Sequence, residues 1–193
     1  MIIGVMGMSG SGKSTFCGHL KEKGAYIIDA DKIAREVLEK GSSGLLEVKE
    51  KFGEEVLFSD GSLNRKKLGE IVFNNEEKLE ILNSITAKRI DEEIIKRVNL
   101  NKGKIVVIDC PMLHKISAIG LCDKVILITA PEEILIERIV ERDGISKENA
   151  KARIKSQNSE FSRFANEIIE NNKDIKSLEN EAEKIISRKD DSK

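Results

Sequence analysis

The chain has 193 residues, of which 39% are hydrophobic and 35% are charged, and its formal net charge is -1. These totals fit a single domain with a real core, and the missing basic excess argues against nucleic acid or an anionic membrane as partner. No apolar run approaches the length of a membrane span, and the chain enters a strand at once, so we expect neither a transmembrane helix nor a signal peptide. The three cysteines form no C-x-x-C pair, which indicates reduced thiols in a cytoplasmic protein.

A glycine-rich stretch follows the first apolar run. Residues 1–6 (MIIGVM) predict a buried strand, residues 7–15 (GMSGSGKST) fit G-x-x-x-x-G-K-[ST], and residues 15–23 predict a helix. Such a loop can hold triphosphate oxygens with backbone N–H groups, because glycines permit the tight curl and the helix N terminus favours an anion. A turn that fits the pattern by chance is the alternative, and the flanking strand and helix argue against it.

This loop predicts a phosphate site with two specialised side chains. The Lys13 amine would reach the β- and γ-phosphates, and the Ser14 hydroxyl would bind Mg²⁺. The predicted phosphate-binding residues are Ser9, Gly10, Ser11, Gly12, Lys13, Ser14 and Thr15.

The second predicted strand, residues 25–29, is followed closely by two acids. Asp29 ends the strand, and Asp31 precedes a helix predicted from Lys32 to Lys40. Asp31 fits the N-cap of that helix. It also fits a ligand-facing carboxylate, since ligands of open α/β sheets bind at the carboxyl ends of strands. The spacing leaves both roles open.

Residues 41–101 carry no strand pattern. Turn residues at 41–44 and 59–62 separate helical runs at 45–52, 63–73 and 76–100. This predicts a helical insertion between two strands, and such an insertion can close over a bound acceptor. Within it, Arg65 is a candidate for gripping a substrate phosphate, although a solvated arginine at a helix start is the more ordinary alternative.

Two further strands follow the insertion. Residues 104–109 (KIVVID) end in Asp109, and residues 124–129 (KVILIT) form the next apolar run. An apolar strand that ends in Asp is a frequent partner of a phosphate loop, where it holds Mg²⁺ directly or through water. A turn or helix cap is the alternative for Asp109.

A helix that begins near Pro131 carries Arg138 and Arg142 on one face. Two arginines close to a helix break fit a mobile lid, residues 131–160, that neutralises charge on a transferring phosphoryl group. Ion pairing with glutamates of the same helix, Glu137 and Glu141, is the alternative. On a charge-rich helix that alternative is ordinarily favoured.

The C-terminal part adds a strand at 167–171, a helix at 174–186 and a charged tail at 188–193. The pattern predicts one α/β domain, residues 1–193, with the three-layer P-loop NTPase fold: a central parallel five-stranded sheet flanked by helices. Residues 172–174 (NKD) lack the spacer of N-K-x-D, which argues against a guanine nucleotide switch. A chain of this length with a helical insertion and a late arginine pair fits a small-molecule kinase.

Short segments along nearly the whole chain match one known kinase family. They are 10–15 (GSGKST), 24–25 (GA), 28–31 (IDAD), 52–53 (FG), 60–61 (DG), 63–65 (LNR) with Leu68, 72–73 (VF), 82–83 (LN), 85–86 (IT), Asp109 with Pro111 and Leu113, Asp123, 130–131 (AP), Arg138, 142–143 (RD), Gln157, and Ile169 with Asn171. The loop is common to many families, whereas the D-A-D, L-N-R and R-D plus Gln segments together are much more specific. In these segments the chain resembles the dephospho-coenzyme A kinases.

The resemblance implies ATP-dependent phosphorylation of the ribose 3′-hydroxyl of dephospho-coenzyme A, with ATP and Mg²⁺ bound. It implies that Asp31 orients and deprotonates that hydroxyl, and that Arg138 and Arg142 close over the transferring group, which reverses the preference for ion pairing. It implies Asp109 as an indirect partner of Mg²⁺ and Asn171 as an ATP-binding residue. The acceptor-binding residues that it implies are Asp29, Arg65, Asn83, Pro111 and Leu113. We expect a monomer or a weak homo-oligomer.

The chain departs from the family pattern at four places. Met8-Ser9 replace Gly-Ile, Ala87-Lys88 replace His-Pro, His114-Lys115 replace an aromatic residue and Glu, and Asn166 replaces Asp. The last three lie outside the loop and concern the acceptor pocket. Two other functions stay open: a nucleoside monophosphate kinase acting on CMP or AMP, and a nucleotide-binding regulatory protein that has lost catalysis.

Overall fold

The structure, a computed structural model, describes residues 1–72, 75–157, 161–172 and 175–187. The predicted helix end at Phe73, the last three residues of the predicted lid (158–160), the Lys173-Asp174 pair and the predicted tail at 188–193 lie outside the described residues. The chain divides into two compact units. We call Met1–Ile28 with Val98–Lys193 the sheet unit, and Asp29–Arg97 the insertion unit.

Five parallel strands form one sheet, as the sequence predicted, and their order across the sheet is β2-β3-β1-β4-β5. The strands are β1 (Ile2–Met6), β2 (Tyr26–Asp29), β3 (Val106–Asp109), β4 (Lys124–Thr129) and β5 (Glu167–Glu170). In the central strand, Val5 lies opposite Asp109 of β3 and Ile126 of β4. Because the strands are parallel, the ends of β1, β3 and β4 meet at one edge of the sheet, where the glycine-rich loop begins.

Eight α-helices occur among the described residues. They are α1 (Lys13–Glu22), α2 (Ala30–Glu36), α3 (Ser43–Phe52), α4 (Arg65–Val72), α5 (Glu76–Leu100), α6 (Glu132–Asp143), α7 (Lys147–Gln157) and α8 (Ile175–Ser187). Short 3₁₀ turns that the sequence did not predict lie at Glu54–Val56, Leu113–Lys115, Ser117–Leu121 and Phe161–Phe164. In the described part of the chain, no helix combines the length and the apolar character needed to cross a membrane.

The sheet unit packs its main core between one face of the sheet and two helices. Ile3 and Val5 of β1 lie against Phe16 and Leu20 of α1, and α8 adds Leu178 to the same cluster. All five side chains are buried, and burying each contributes about 1.5–3 kcal/mol. This packing fixes the strand and the helix on either side of the glycine-rich loop.

A second cluster in the sheet unit joins α6 to α7. Leu135 and Ile139 of α6 pack against Ala150 and Ile154 of α7, and the partly buried Met8 of the loop packs against the same cluster. We call α6 and α7 the helical pair. The contact with Met8 joins the helical pair to the loop.

The insertion unit has a core of its own. Val48 and Phe52 of α3 pack with Leu68 and Val72 of α4 and with Ile85 of α5. The bounds of α5 agree with the predicted run 76–100. The prediction of Asp31 as the N-cap of α2 was wrong. This helix begins at Ala30, and its N-cap is Asp29, whose carboxylate accepts a hydrogen bond of 2.9 Å from the N–H of Lys32. An acid two residues before Asp31 already satisfies the first turn, so Asp31 lies inside the helix.

Candidate active site

The glycine-rich loop joins the end of β1 to the start of α1. Its turn is closed by the N–H of Ser11, which donates to the carbonyl of Met8 at 3.1 Å. Gly10 and Gly12 have φ values of 80° and 92°, which residues with a Cβ rarely adopt. The loop delivers its chain into the N terminus of α1, where the first N–H groups of a helix point outward and attract an anion.

Neighbouring groups approach the loop so closely that side chains would not fit. A Cβ on Gly7 would lie 2.5 Å from the carbonyl oxygen of Ile128, and one on Gly12 would lie 2.1 Å from Nδ2 of Asn171. A Cβ on Gly10 would lie 2.8 Å from the carbonyl oxygen of Leu135 in α6. At all three positions, therefore, the surrounding atoms leave no room for a Cβ.

Asn171 holds the loop from below. It follows β5, it is 8% exposed, and its N–H donates to the carbonyl of Thr129 at 2.7 Å. Its side-chain Nδ2 donates to the carbonyl of Ser11 at 2.8 Å. In this structure the predicted ATP-binding asparagine thus supports the backbone of the phosphate loop.

Lys13 and Asp109 form an ion pair beside the loop. The Lys13 ammonium donates a hydrogen bond to Oδ1 of Asp109, and each side chain is 11% exposed. Asp109 reaches this place because β3 runs parallel to β1 and ends next to it. Removing either partner would leave the other group of this part-buried pair without its counter-ion. The pair places a fixed positive charge at the edge of the sheet.

The two lid arginines have different partners. Arg138 is half-buried, and its Nη1 donates to the carbonyl of Gly10 at 3.3 Å. Arg142 is exposed and holds Asp143 with two hydrogen bonds, of 2.7 Å from Nε and 2.9 Å from Nη2. These bonds raise the pKa of Arg142 and, with a further bond from Arg153, lower the pKa of Asp143 to about 2. The structure therefore joins Arg138 to the loop and leaves Arg142 at the break between α6 and α7.

Four predicted site residues lie in the insertion unit. Asp29 and Asp31 stand at the start of α2, and both are exposed. Arg65 is the first residue of α4 and Asn83 lies in α5, and both are exposed. All four therefore present polar side chains to solvent within their own unit.

The segment after β3 carries the remaining acceptor-binding predictions. Pro111 is partly exposed, whereas Leu113 is fully buried, and a Cβ on Gly4 would lie 2.4 Å from its Cδ2. Leu113 thus packs against β1 of the sheet. The imidazole of His114 stacks on Phe164 with ring centroids 5.2 Å apart and meets Phe161 edge-on at the same distance.

Two departures from the family pattern have structural explanations. His114 packs as an aromatic ring would, and its burial and the adjacent Lys115 lower its pKa, so the neutral imidazole is favoured. The Asn166 amide oxygen accepts from the N–H of Val125 at 2.7 Å, and the Asn166 N–H donates to the Val125 carbonyl at 2.8 Å. Asn166 therefore fixes the amino end of β4 to the start of β5.

Gln157 was quoted in the family resemblance but received no role in the predicted site. It ends α7 and contacts Ser9 of the loop through both atoms of its amide. The family resemblance marks Gln157 as a matched position, but the sequence does not predict its contact with Ser9, because 148 residues separate the two.

Comparison with known proteins gives a consistent result. The family model described as dephospho-CoA kinase matches residues 1–177. A Fusobacterium nucleatum protein named dephospho-CoA kinase is 39% identical over 187 residues, which cover 96% of each chain. A solved dephospho-CoA kinase from Campylobacter jejuni superposes with a TM-score of 0.73 at 32% identity, covering 96% of this chain and 95% of that one. A shikimate kinase from Acinetobacter baumannii shares the fold, with a TM-score of 0.53 at 19% identity over 100% and 94% of the two chains.

Proposed function

This chain belongs to the dephospho-CoA kinase family, and on that premise we propose that it transfers the γ-phosphoryl group of ATP to the ribose 3′-hydroxyl of dephospho-coenzyme A. The observation that carries the proposal is the phosphate loop with Lys13 held beside it on Asp109. The family match selects the acceptor, because a phosphate loop alone is common to many kinases.

The loop and α1 hold the nucleotide phosphates. The N–H groups of Gly10 and residues 12–15 are available to the β- and γ-phosphates, and the Lys13 ammonium adds a positive charge beside them. Asp109 accepts a hydrogen bond from that ammonium and holds it in place. The product of this arrangement is a preorganised anion site that needs no rearrangement of the backbone when ATP enters.

Magnesium fits the oxygen donors available here. Ser14 is exposed in the first turn of α1, and Asp109 ends the neighbouring strand. Among the described residues no cluster of three His, Cys, Asp or Glu side chains is placed to hold a metal ion. Mg²⁺ binds through one or two protein oxygens together with substrate phosphates and water, a role that the Ser14 hydroxyl and the Asp109 carboxylate would suit. When bound, the ion neutralises phosphate charge.

The reaction itself is an in-line displacement. The 3′-oxygen of the acceptor forms a bond to the γ-phosphorus while the bond to the β–γ bridging oxygen breaks, and the hydroxyl proton passes to the Asp31 carboxylate. Arg138 and Arg142 offset the charge on the transferring group, and closure of the lid excludes water that would hydrolyse ATP. Asp29, Arg65, Asn83 and Pro111 contribute to binding the acceptor.

A turnover assay tests the acceptor. Mg-ATP is supplied with dephospho-coenzyme A, CMP or AMP, ADP release is followed, and the product mass is measured. We expect ADP release with dephospho-coenzyme A alone, and a product heavier by one phosphate. Release with a nucleotide instead would identify a nucleoside monophosphate kinase, and nucleotide binding without any turnover would identify a regulatory protein.

A second assay tests the proposed base. Asp31→Asn should lower kcat by about 10²–10⁴-fold, because general base catalysis contributes that much. Glu39→Gln changes another exposed carboxylate of the insertion unit and should leave kcat unaltered. Near wild-type turnover by a folded Asp31→Asn protein would remove Asp31 from the mechanism.

We further propose a cytoplasmic location and a monomer or weak homo-oligomer. The oligomeric state is checked by light scattering.

A further inference from the structure

A glutamine at the end of α7 holds the start of the phosphate loop. The N–H of Ser9 donates to Oε1 of Gln157 at 2.8 Å, and Nε2 of Gln157 donates to Oγ of Ser9 at 3.1 Å. Both contacts are partly buried. One amide group thus bonds to the backbone N–H and to the side-chain hydroxyl of a single loop residue, in a geometry that a shorter or apolar side chain cannot reproduce.

The other helix of the pair supports the next loop residue. Arg138 of α6 donates to the carbonyl of Gly10, and the Leu135 carbonyl lies so near that Gly10 has no room for a Cβ. The helical pair therefore contacts the loop from both of its helices, α7 at Ser9 and α6 at Gly10. Since the N–H of Ser9 is used by Gln157, the donors for phosphate come from the residues that follow.

We propose that Gln157 is a positioning residue that fixes the Met8-Ser9-Gly10 turn and so preorganises the phosphate-binding amides of Gly10 and residues 12–15. The inference rests on the proposed ATP-dependent function. A loop fixed before the nucleotide arrives loses less conformational freedom on binding. The same loop holds the phosphates in the ground state and in the transition state, so its loosening changes KM and leaves kcat almost unchanged.

Three variants separate the two hydrogen bonds. Gln157→Met keeps the length of the side chain and removes both bonds, Ser9→Ala removes the bond to the hydroxyl alone, and the double variant combines them. Ser156→Ala, one residue earlier on α7, is the matched control, because its exposed hydroxyl bonds to the helix backbone. The dissociation constant of ADP is measured by calorimetry without acceptor, kcat and KM for ATP by steady-state kinetics, and Tm by thermal unfolding.

We expect Gln157→Met to weaken ADP binding about tenfold, which corresponds to about 1.4 kcal/mol. KM for ATP should rise by a similar factor, with kcat within about twofold of wild type. Ser9→Ala should weaken binding about threefold, and the double variant should bind no more weakly than Gln157→Met, because the hydroxyl has already lost its partner. Ser156→Ala should match wild type in all three measurements.

Three results would overturn the inference. They are ADP affinity within twofold of wild type in Gln157→Met, a fall in kcat with KM unchanged, or effects of the single variants that multiply in the double variant. If Gln157→Met does not fold, the Ser9→Ala variant decides: an ADP affinity equal to that of wild type would also overturn the inference. Calorimetry with ADP needs no acceptor, so a failure of the proposed reaction with dephospho-coenzyme A is recognised separately in the wild-type turnover assay.

Discussion

Replacing Gly12 by alanine tests how tightly the phosphate loop is built. The new Cβ would meet Nδ2 of Asn171 at 2.1 Å and its Cγ at 3.3 Å. Asn171 would have to withdraw and would lose its bond to the carbonyl of Ser11. In addition, a φ of 92° is unfavourable for any residue with a Cβ.

The structure separates these two costs. A left-handed backbone costs an L-residue about 1–2 kcal/mol. Loss of a buried hydrogen bond that leaves its partners unsatisfied costs about 1–3 kcal/mol. Gly12→Ala should therefore lower the free energy of unfolding by about 2–5 kcal/mol, or lower Tm by roughly 6–15 °C for a chain of this size.

Two other glycines provide matched controls. Gly24 has a φ of 91°, and no described atom lies within 4 Å of the place that a Cβ would take, so Gly24→Ala carries the backbone cost alone and should lower Tm by roughly 3–6 °C. Gly18 lies inside α1 with open space around it, and Gly18→Ala should raise Tm by roughly 1–3 °C, because alanine favours the helix.

Thermal unfolding of the three variants without ligand is the assay. If Gly12→Ala and Gly24→Ala lowered Tm equally, the contact with Asn171 would contribute nothing, and the reasoning from close approach would be refuted. Gly12→Ala should also lose ADP binding, which Gly24→Ala should retain.

Three further predictions concern ionisable groups of the sheet unit. Lys13→Met should abolish turnover and destabilise the fold by leaving the Asp109 carboxylate unpaired, and adding Asp109→Asn should restore Tm but not turnover. The pKa of Asp143 is about 2, because Arg142 and a second arginine bond to it. The stability that this carboxylate contributes to the fold is therefore full above about pH 4 and is lost as the pH falls from about 4 to 2. An NMR titration midpoint near 4 would contradict this. Burial raises the pKa of the Cys122 thiol to about 12, so alkylation by iodoacetamide at pH 8 should be more than about a hundredfold slower in native than in urea-unfolded protein, and equal rates would disprove it.

The sheet and the longest helix could be predicted from the sequence because burial leaves a simple pattern. Strands covered on both faces appear as continuous apolar runs, and the predicted run 124–129 agrees with β4. The 25 residues of α5 carry enough helical periods to define both ends. The 3₁₀ turn at Ser117–Leu121 is too short to show any period, and it was missed.

The partners of the polar side chains were harder to predict. Asp29 and Asp31 both suit a helix N-cap, and only the backbone at the end of β2 decides that Asp29 takes the position. The alternative partners of Arg142, Glu137 and Glu141, lie earlier on α6, whereas the last residue of that helix, Asp143, accepts both bonds. Contacts that depend on the folding of the chain back onto itself have no local signal.

The bond from Asn171 to Ser11 joins groups 160 residues apart, and it sets an order of events during synthesis. The ribosome makes the phosphate loop first and its support last, with about 8–30 s between them at 5–20 residues per second. Until β5 has joined β4, the carbonyl of Ser11 lacks its partner and the loop lacks its support at the start of α1. A nascent chain that is stalled before residue 171 should therefore carry the complete phosphate-binding motif and still bind nucleotide more weakly than the finished chain.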